Sequence, residues 1–139
     1  MPIQPAGALG IQGSVWVNEE LSAGLADLDG FSHIYLIYWF HQSQGYDLQP
    51  TPFLDKSPRG LFATRAPRRP NALGLSVVRL LRVEKNILYI ENVDILDGTP
   101  LLDIKPYFPG FDCHETEKNG WLGKQSKLIE AVKSDRRFE

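Results

Sequence analysis

Short runs of β-forming residues, separated by clusters of turn residues, dominate this sequence. The runs are rich in Val, Ile, Tyr, Trp and Phe, and the breaks between them read DLDG, GYDLQPTP, EKN and DGTP. Many short strands with few helical patterns favour a barrel or a sandwich over a doubly wound α/β fold. The pattern predicts strands over 13–18, 33–40, 60–64, 75–84 and 86–95.

Some segments allow more detailed predictions. The run HIYLIYWF (33–40) is apolar at successive positions, which predicts a central strand covered on both faces. Lys85 and Asn86, between the last two runs, predict a tight hairpin. The pattern SKLIEAVKSDRR (126–137) predicts a short C-terminal amphipathic helix with Ser126 as its N-cap. With 139 residues, of which 42% are hydrophobic, we expect a single all-β domain over 1–139.

Composition and charge exclude several classes of protein. A net charge of −2 provides no overall field to attract polyanions. The single cysteine, Cys113, excludes an internal disulfide, favours the cytosol and cannot form a zinc site without distant histidines, so we expect no metal. The longest apolar run, 34–40, is far shorter than the roughly 20 residues of a membrane helix. The glycine-rich segment GALGIQG (7–13) follows no strand and does not match the dinucleotide-binding fingerprint.

The segment RAPRRPNALGLS (65–76) concentrates positive charge in a stiff stretch of chain. Six of the eight arginines lie between Asp55 and Glu84, where no acidic residue occurs. Because the prolines fix φ and remove backbone donors, we expect a rigid loop that is neither helix nor central strand. The loop is either an ordinary solvated surface or a local cationic patch for nucleic-acid phosphates.

The segment NVDILDGTPLLDIKPY (92–107) gathers acidic residues around an Asp-Gly turn. In an extended chain Asp103, Lys105 and Tyr107 project to one face. Such a row supplies either a structural ion pair or a base with an orienting cation. His41, at the end of a predicted strand, is a further candidate base, although a lone histidine there is more often structural.

Several motifs together resemble the TsaA-like family. They are GFSHIYLIYWFHQS, GLFATRAPRRPNALGLSVVRLL, VDILDGTPLLDIKPY and the trailing GWL, which follow in the family's order from about Pro2 to Trp121. Where family members commonly have Asn-Pro-Ile-Gly, this chain has Asn-Ala-Leu-Gly at 71–74. The resemblance implies a small closed or partly open β-barrel that forms a homodimer and binds S-adenosylmethionine near the dimer interface. It also implies methylation of N6 of threonylcarbamoyladenosine at tRNA position 37.

The resemblance also implies where the cofactor binds. We hypothesise that Arg65 pairs with the methionine carboxylate and that Asp94 accepts a hydrogen bond from a hydroxyl or amine. The full set of implied cofactor contacts is Pro2, Ile3, Gln4, His41, Gln42, Arg65, Leu75, Glu91, Asn92, Val93 and Asp94.

Substrate binding and catalysis are assigned as hypotheses. We expect Arg68 and Arg69 to face RNA phosphates, with Asn71 beside them. The ureido-like acceptor nitrogen is weakly nucleophilic, so a group that removes or polarises its proton would help. The candidates are Asp103 with Lys105 orienting it, and His41, while Tyr107 would stack or donate a hydrogen bond.

Two other functions are compatible with these residues. The first is a module that senses S-adenosylmethionine without transferring its methyl group. The second is a structural RNA-binding barrel, since small barrels bind oligonucleotides through aromatic faces and basic loops. Cofactor binding and methyl transfer distinguish the three functions.

Overall fold

A single antiparallel β-sheet forms the structure, a computed structural model that describes residues 9–53 and 55–124. The sheet has the strand order β1-β4-β3-β2-β5, so the hairpin-linked strands β3 and β4 lie inside it. No pairing of β1 with β5 closes the sheet in this part of the chain. The predicted all-β class is confirmed, in a partly open form. The strands are β1 Gln12–Trp16, β2 His33–Trp39, β3 Leu73–Glu84, β4 Ile87–Glu91 and β5 Leu101–Pro106.

Helical structure among the described residues is limited to short turns. The α-helix α1 covers Pro109–Asp112, and 3₁₀ turns cover Glu19–Leu25, Leu28–Gly30, Leu61–Ala63 and Gly120–Lys124. None of the helices in the described ranges is long and apolar enough to span a membrane. The predicted helix over 126–137 lies outside the described residues.

The β3–β4 hairpin confirms the predicted turn. Lys85 has a φ of 55°, the left-handed conformation that such a tight turn requires. Asn86 then joins this hairpin to β1, because its side chain donates to Val17 O at 2.8 Å and its carbonyl accepts from Val17 N at 2.9 Å.

The core lies on one face of the sheet. Alternate side chains of β2, β3 and β4 pack there, among them Ile34, Leu36, Val78, Leu88 and Ile90. The prediction that strand 33–40 is covered on both faces is wrong for this single chain. Its other side chains are half-buried or exposed.

Two further predictions are corrected. Segment 60–64 is a 3₁₀ turn, not a strand, because the Thr64 hydroxyl donates to the carbonyl of Leu61 at 2.7 Å and closes a local turn. The predicted loop 65–76 ends earlier than expected, since β3 begins at Leu73 in the middle of the sheet. Both prolines of the loop lie upstream, so the chain after Asn71 is free to pair.

Candidate active site

A polar network is embedded in the apolar face of the sheet. The Ser76 hydroxyl donates to Asp94 Oδ1 at 2.7 Å and lies 2.9 Å from the Tyr38 hydroxyl. Because Ser76 has one hydroxyl proton, Tyr38 is the donor in the second bond. Ser76 is only 2% exposed, and Tyr38 is also buried. A chain of hydrogen bonds that ends on a carboxylate within a core indicates a binding or catalytic site.

Gly74 makes room for this network. It pairs directly with Tyr38 across β2 and β3. A Cβ atom built on Gly74 would lie 2.2 Å from Tyr38 Cε2, far inside van der Waals contact. The Tyr38 ring therefore lies over a bare backbone, and its hydroxyl reaches Ser76 two residues further along β3.

Burial raises the pKa of the Asp94 carboxyl, while the hydrogen bond from Ser76 and the charge of Arg65 act in the opposite direction. Arg65 also lowers the pKa of the Tyr38 hydroxyl, but burial outweighs this and the net effect is to raise it. The charge of Arg65 thus acts on Asp94, and both are predicted cofactor residues. A guanidinium and a half-buried carboxylate can together bind a zwitterion. The guanidinium binds the carboxylate of the zwitterion, and the half-buried carboxylate binds its ammonium group.

The backbone turns sharply where the network leaves the sheet. Asn92 follows β4 with a φ of 67°, and its side-chain oxygen accepts a hydrogen bond from Gly10 N at 2.9 Å. Val93 N donates to Ile11 O at 3.2 Å. These bonds hold the predicted segment 91–94 against the N-terminal chain. Pro2, Ile3 and Gln4 lie outside the described residues.

The arginine loop, defined as residues 59–72, is folded around one of its own arginines. Arg69 Nη1 donates to the carbonyls of Leu61, Thr64 and Ala66 at 3.4, 3.0 and 3.2 Å. Its guanidinium also lies 5.6 Å from the centre of the Phe62 ring. Arg69 is therefore turned inward onto its loop through Nη1, and its contact with RNA phosphates stays a prediction. Arg65, between the carbonyls that Arg69 binds, is exposed.

The arginine loop is also tied to neighbouring segments. Arg68 is exposed and donates through Nε to Gln44 O at 3.3 Å, while Asn71 is exposed beside it. Trp121, from the motif GWL, donates through Nε1 to Ala63 O at 2.8 Å. Arg59, paired with Asp55, packs against the Trp121 ring at 5.9 Å. These contacts hold the loop from both sides.

The segment after β2 runs along the same loop. Phe40 N donates to Ala72 O at 2.8 Å, and the Ser43 hydroxyl donates to Pro67 O at 3.3 Å. His41 and Gln42 lie between these two attachments, with the His41 ring half-buried and 6.3 Å from the Trp39 ring. The structure therefore places the predicted residues 41 and 42 beside the arginine loop.

The remaining candidates lie on the other face of the sheet. Asp103 pairs with Ile37, whose side chain points away from the core, and it forms an ion pair with Lys105 at 3.0 Å. The Tyr107 ring lies 5.6 Å from that of Tyr35. The hydrogen bond from Lys105 lowers the pKa of the exposed Asp103 carboxyl, which makes it a weaker base.

Leu75 also projects to this outer face and is 52% exposed. Within one chain, the sheet thus separates Leu75 and Asp103 from the Asp94 network. Sequence reasoning missed Tyr38, Ser76 and Gly74. The available signal was a serine and a glycine at alternate positions of an otherwise apolar strand, in GLSVV. Among the residues that the structure describes, no cluster of three or more His, Cys, Asp or Glu side chains offers a metal site.

Comparison with known proteins identifies the family. The family model for the tRNA-methyltransferase O N-terminal domain matches residues 1–113. The chain belongs to this family. The resemblance drawn from the sequence motifs is confirmed.

Similar proteins differ in how much of their length this chain matches. A probable S-adenosyl-L-methionine-binding protein of Pyrococcus abyssi is 51% identical over 99% of this chain and 75% of its own. A mouse tRNA (adenine(37)-N6)-methyltransferase is 41% identical over 75% of this chain and 24% of its own. A crystal structure of TrmO superposes with a TM-score of 0.72 at 40% identity, over 86% of this chain and 54% of that one. The chain therefore spans about half of the solved TrmO and about a quarter of the mouse enzyme.

Proposed function

We propose that this protein is an S-adenosylmethionine-dependent methyltransferase that modifies N6 of threonylcarbamoyladenosine at tRNA position 37. The observation that carries the proposal is the Tyr38–Ser76–Asp94 network beside Arg65 in a chain of the tRNA-methyltransferase O family. The names of the mouse and archaeal relatives support the substrate and the cofactor respectively. A cytoplasmic location stays a prediction.

The residues of the network fit the charges of the cofactor. Arg65 provides a guanidinium for the methionine carboxylate, and Asp94 provides an acceptor for an ammonium or ribose hydroxyl. Ser76 and Tyr38 hold the Asp94 carboxylate in place from the core side. When bound, S-adenosylmethionine supplies an electrophilic methyl group on its sulfonium, so the protein must orient the acceptor nitrogen and accept its proton.

His41 is our first candidate for that proton acceptor. It lies on the segment attached to the arginine loop, whereas Asp103 lies on the opposite face of the sheet and has a lowered pKa. The exposure of Arg68 on the same loop supports a role in contacting RNA phosphate. For Asp103, Lys105 and Tyr107 to act in catalysis, a second copy of the chain would have to contribute them to this site.

A homodimer would explain why predicted cofactor contacts lie on both faces. The outer face exposes Trp39, Leu73 and Leu75, an apolar surface in the middle of the sheet. Apolar side chains on neighbouring strands favour burial against a partner. We propose that two copies pack through this face and bring Leu75 of one copy toward the cofactor site of the other.

A second candidate function is cofactor binding without methyl transfer. The observation that favours it is the name of the Pyrococcus relative, which is called a binding protein and matches 99% of this chain. The polar network serves either function, because both require the cofactor.

Calorimetry followed by a methylation assay tests the proposal. We expect S-adenosylmethionine to bind with micromolar affinity and Arg65→Ala to weaken binding at least tenfold. Arg82→Ala is the matched control, since Arg82 lies near the far end of β3 and pairs with Glu84. Methyl transfer to tRNA that carries threonylcarbamoyladenosine at position 37 should follow. Binding without transfer would favour the second candidate, and absence of binding would contradict both.

A further inference from the structure

The Phe62 side chain is exposed on a rigid turn. Phe62 occupies the middle of the 3₁₀ turn Leu61–Ala63 and is 77% exposed, whereas its neighbour Leu61 is buried. Leaving a phenylalanine ring in water forgoes the favourable free energy of burying it. A ring presented outward next to a buried anchor is therefore a candidate contact surface.

Contacts on both sides hold the turn that carries this ring. The Arg69 guanidinium lies 5.6 Å from the ring centre and is itself held by three backbone carbonyls of the loop. On the other side of the turn, the carbonyl of Ala63 accepts the indole proton of Trp121 at 2.8 Å. Because the turn is already held in place, little backbone entropy is lost when the ring binds a partner.

The charge around the ring identifies the class of partner. Phe62 lies in the stretch between Asp55 and Glu84 that contains no acid, and Arg65 and Arg68 are exposed on the same loop. Single-stranded nucleic acids bind where aromatic rings stack on bases and nearby cations contact phosphates. A second copy docking symmetrically on this ring would oppose the same arginines to one another.

We infer that Phe62 stacks on an unpaired base of the RNA substrate. This inference rests on the proposed function and adds a residue that reads the RNA as a single strand. Arg69 holds the turn that carries the ring, while the exposed arginines of the loop bind the backbone on either side of the stacked base.

Binding of anticodon stem–loop RNAs tests the inference. Affinities are measured in saturating S-adenosylhomocysteine, first for the intact RNA. They are then measured for a series of RNAs, each of which lacks the base at one position of the loop. We expect Phe62→Ala to weaken binding of the intact RNA about tenfold, within the range for loss of one stacked base. For one abasic RNA the wild type should lose the same factor and Phe62→Ala should lose nothing further.

Two variants control for effects on folding and on hydrophobicity in general. Phe62→Trp should retain the affinity, because an indole stacks at least as well. Phe111→Ala removes another exposed phenylalanine, 67% exposed on α1, and should bind every RNA as the wild type does.

The remaining outcomes overturn specific claims. Wild-type affinity of Phe62→Ala for the intact RNA, or an equal loss with every abasic RNA, would overturn the stacking role. Dissociation of a dimer by Phe62→Ala in sedimentation would also overturn it, since the ring would then contact protein. Failure of the wild-type protein to bind any RNA would instead overturn the proposed substrate.

Discussion

The two faces of the sheet carry the same kind of residue in opposite environments. On the inner face, Asp94 is half-buried at the end of a hydrogen-bonded network, and burial raises the pKa of its carboxyl. On the outer face, Asp103 is exposed beside Lys105, whose hydrogen bond lowers the pKa of that carboxyl. The position of an aspartate in the sheet, more than its local motif, therefore determines the chemistry available to it.

The inner face is packed around a buried polar network, whereas the outer face is exposed and carries apolar side chains beside the Asp103–Lys105 pair. Inner side chains are fitted to one another so closely that a glycine is needed opposite Tyr38. Outer side chains such as Leu75 are exposed. Substitutions on the inner face should therefore change the free energy of unfolding, whereas apolar-to-charged substitutions on the outer face should change association between copies.

The largest effect is expected at Gly74. Gly74→Ala places a Cβ atom against the Tyr38 ring and should lower the free energy of unfolding by about 3 kcal/mol, measured by urea denaturation. Gly30→Ala is the control, because a Cβ built there meets nothing within 4 Å. Equal stability of the two variants would show that the inner face is not tightly packed.

On the outer face, Leu75→Glu should disrupt the proposed dimer. A charge buried at the interface should cost about 2 kcal/mol, or roughly thirtyfold in Kd, measured by sedimentation equilibrium. Leu21→Glu, at a position 58% exposed in the turn Glu19–Leu25, should leave association unchanged. Association unaffected by Leu75→Glu would place any dimer interface elsewhere.

Ser76→Ala should have a smaller effect on stability. It leaves the Asp94 carboxylate and the Tyr38 hydroxyl without their shared partner, which should lower the free energy of unfolding by about 1–2 kcal/mol. Ser14→Ala removes an exposed hydroxyl that accepts from Trp16 Nε1, and it should change stability by less than about 0.5 kcal/mol. A comparable loss in both would remove the distinction between the two faces.

The smallest effect is a pH dependence of opposite sign at the two aspartates. Because the folded pKa of Asp94 is raised above 3.8, its ionisation favours unfolding, and wild-type stability relative to Asp94→Asn should fall as pH rises above 3.8. The folded pKa of Asp103 is lowered, so its contribution is present above 3.8 and is lost as pH falls through the folded value. Solvent screening makes this second contribution small.

The free energy of unfolding of the wild type, Asp94→Asn and Asp103→Asn is measured by urea titration between pH 3 and 8. This range extends about four units above the ordinary aspartate pKa. Parallel pH profiles of the two variants would contradict the opposite environments of Asp94 and Asp103.

Local patterns were sufficient to predict most of the sheet. Alternation and turn chemistry located four of the strands, the Lys85–Asn86 hairpin and the Asp103–Lys105 row, since all depend on neighbours in sequence. The 3₁₀ turn at Leu61–Ala63 was mistaken for a strand because three apolar residues carry no clear period.

The candidate site was predictable only in part. The family resemblance located Arg65 and Asp94, but the Tyr38–Ser76–Asp94 bonds depend on a register between β2 and β3 that local pattern does not reveal. The inward orientation of Arg69 depends on where three carbonyls of a folded loop point, which composition cannot indicate.

The inward orientation of Arg69 has a consequence for how RNA binding should respond to salt. Each cation that neutralises a phosphate releases counterions. It therefore steepens the slope of the logarithm of the binding constant against the logarithm of the salt concentration by about one. An arginine whose Nη1 is bound to the Leu61, Thr64 and Ala66 carbonyls should release few counterions, so we expect fewer phosphate contacts than the loop has arginines. The salt sensitivity of this protein toward RNA should therefore be lower than its count of arginines suggests.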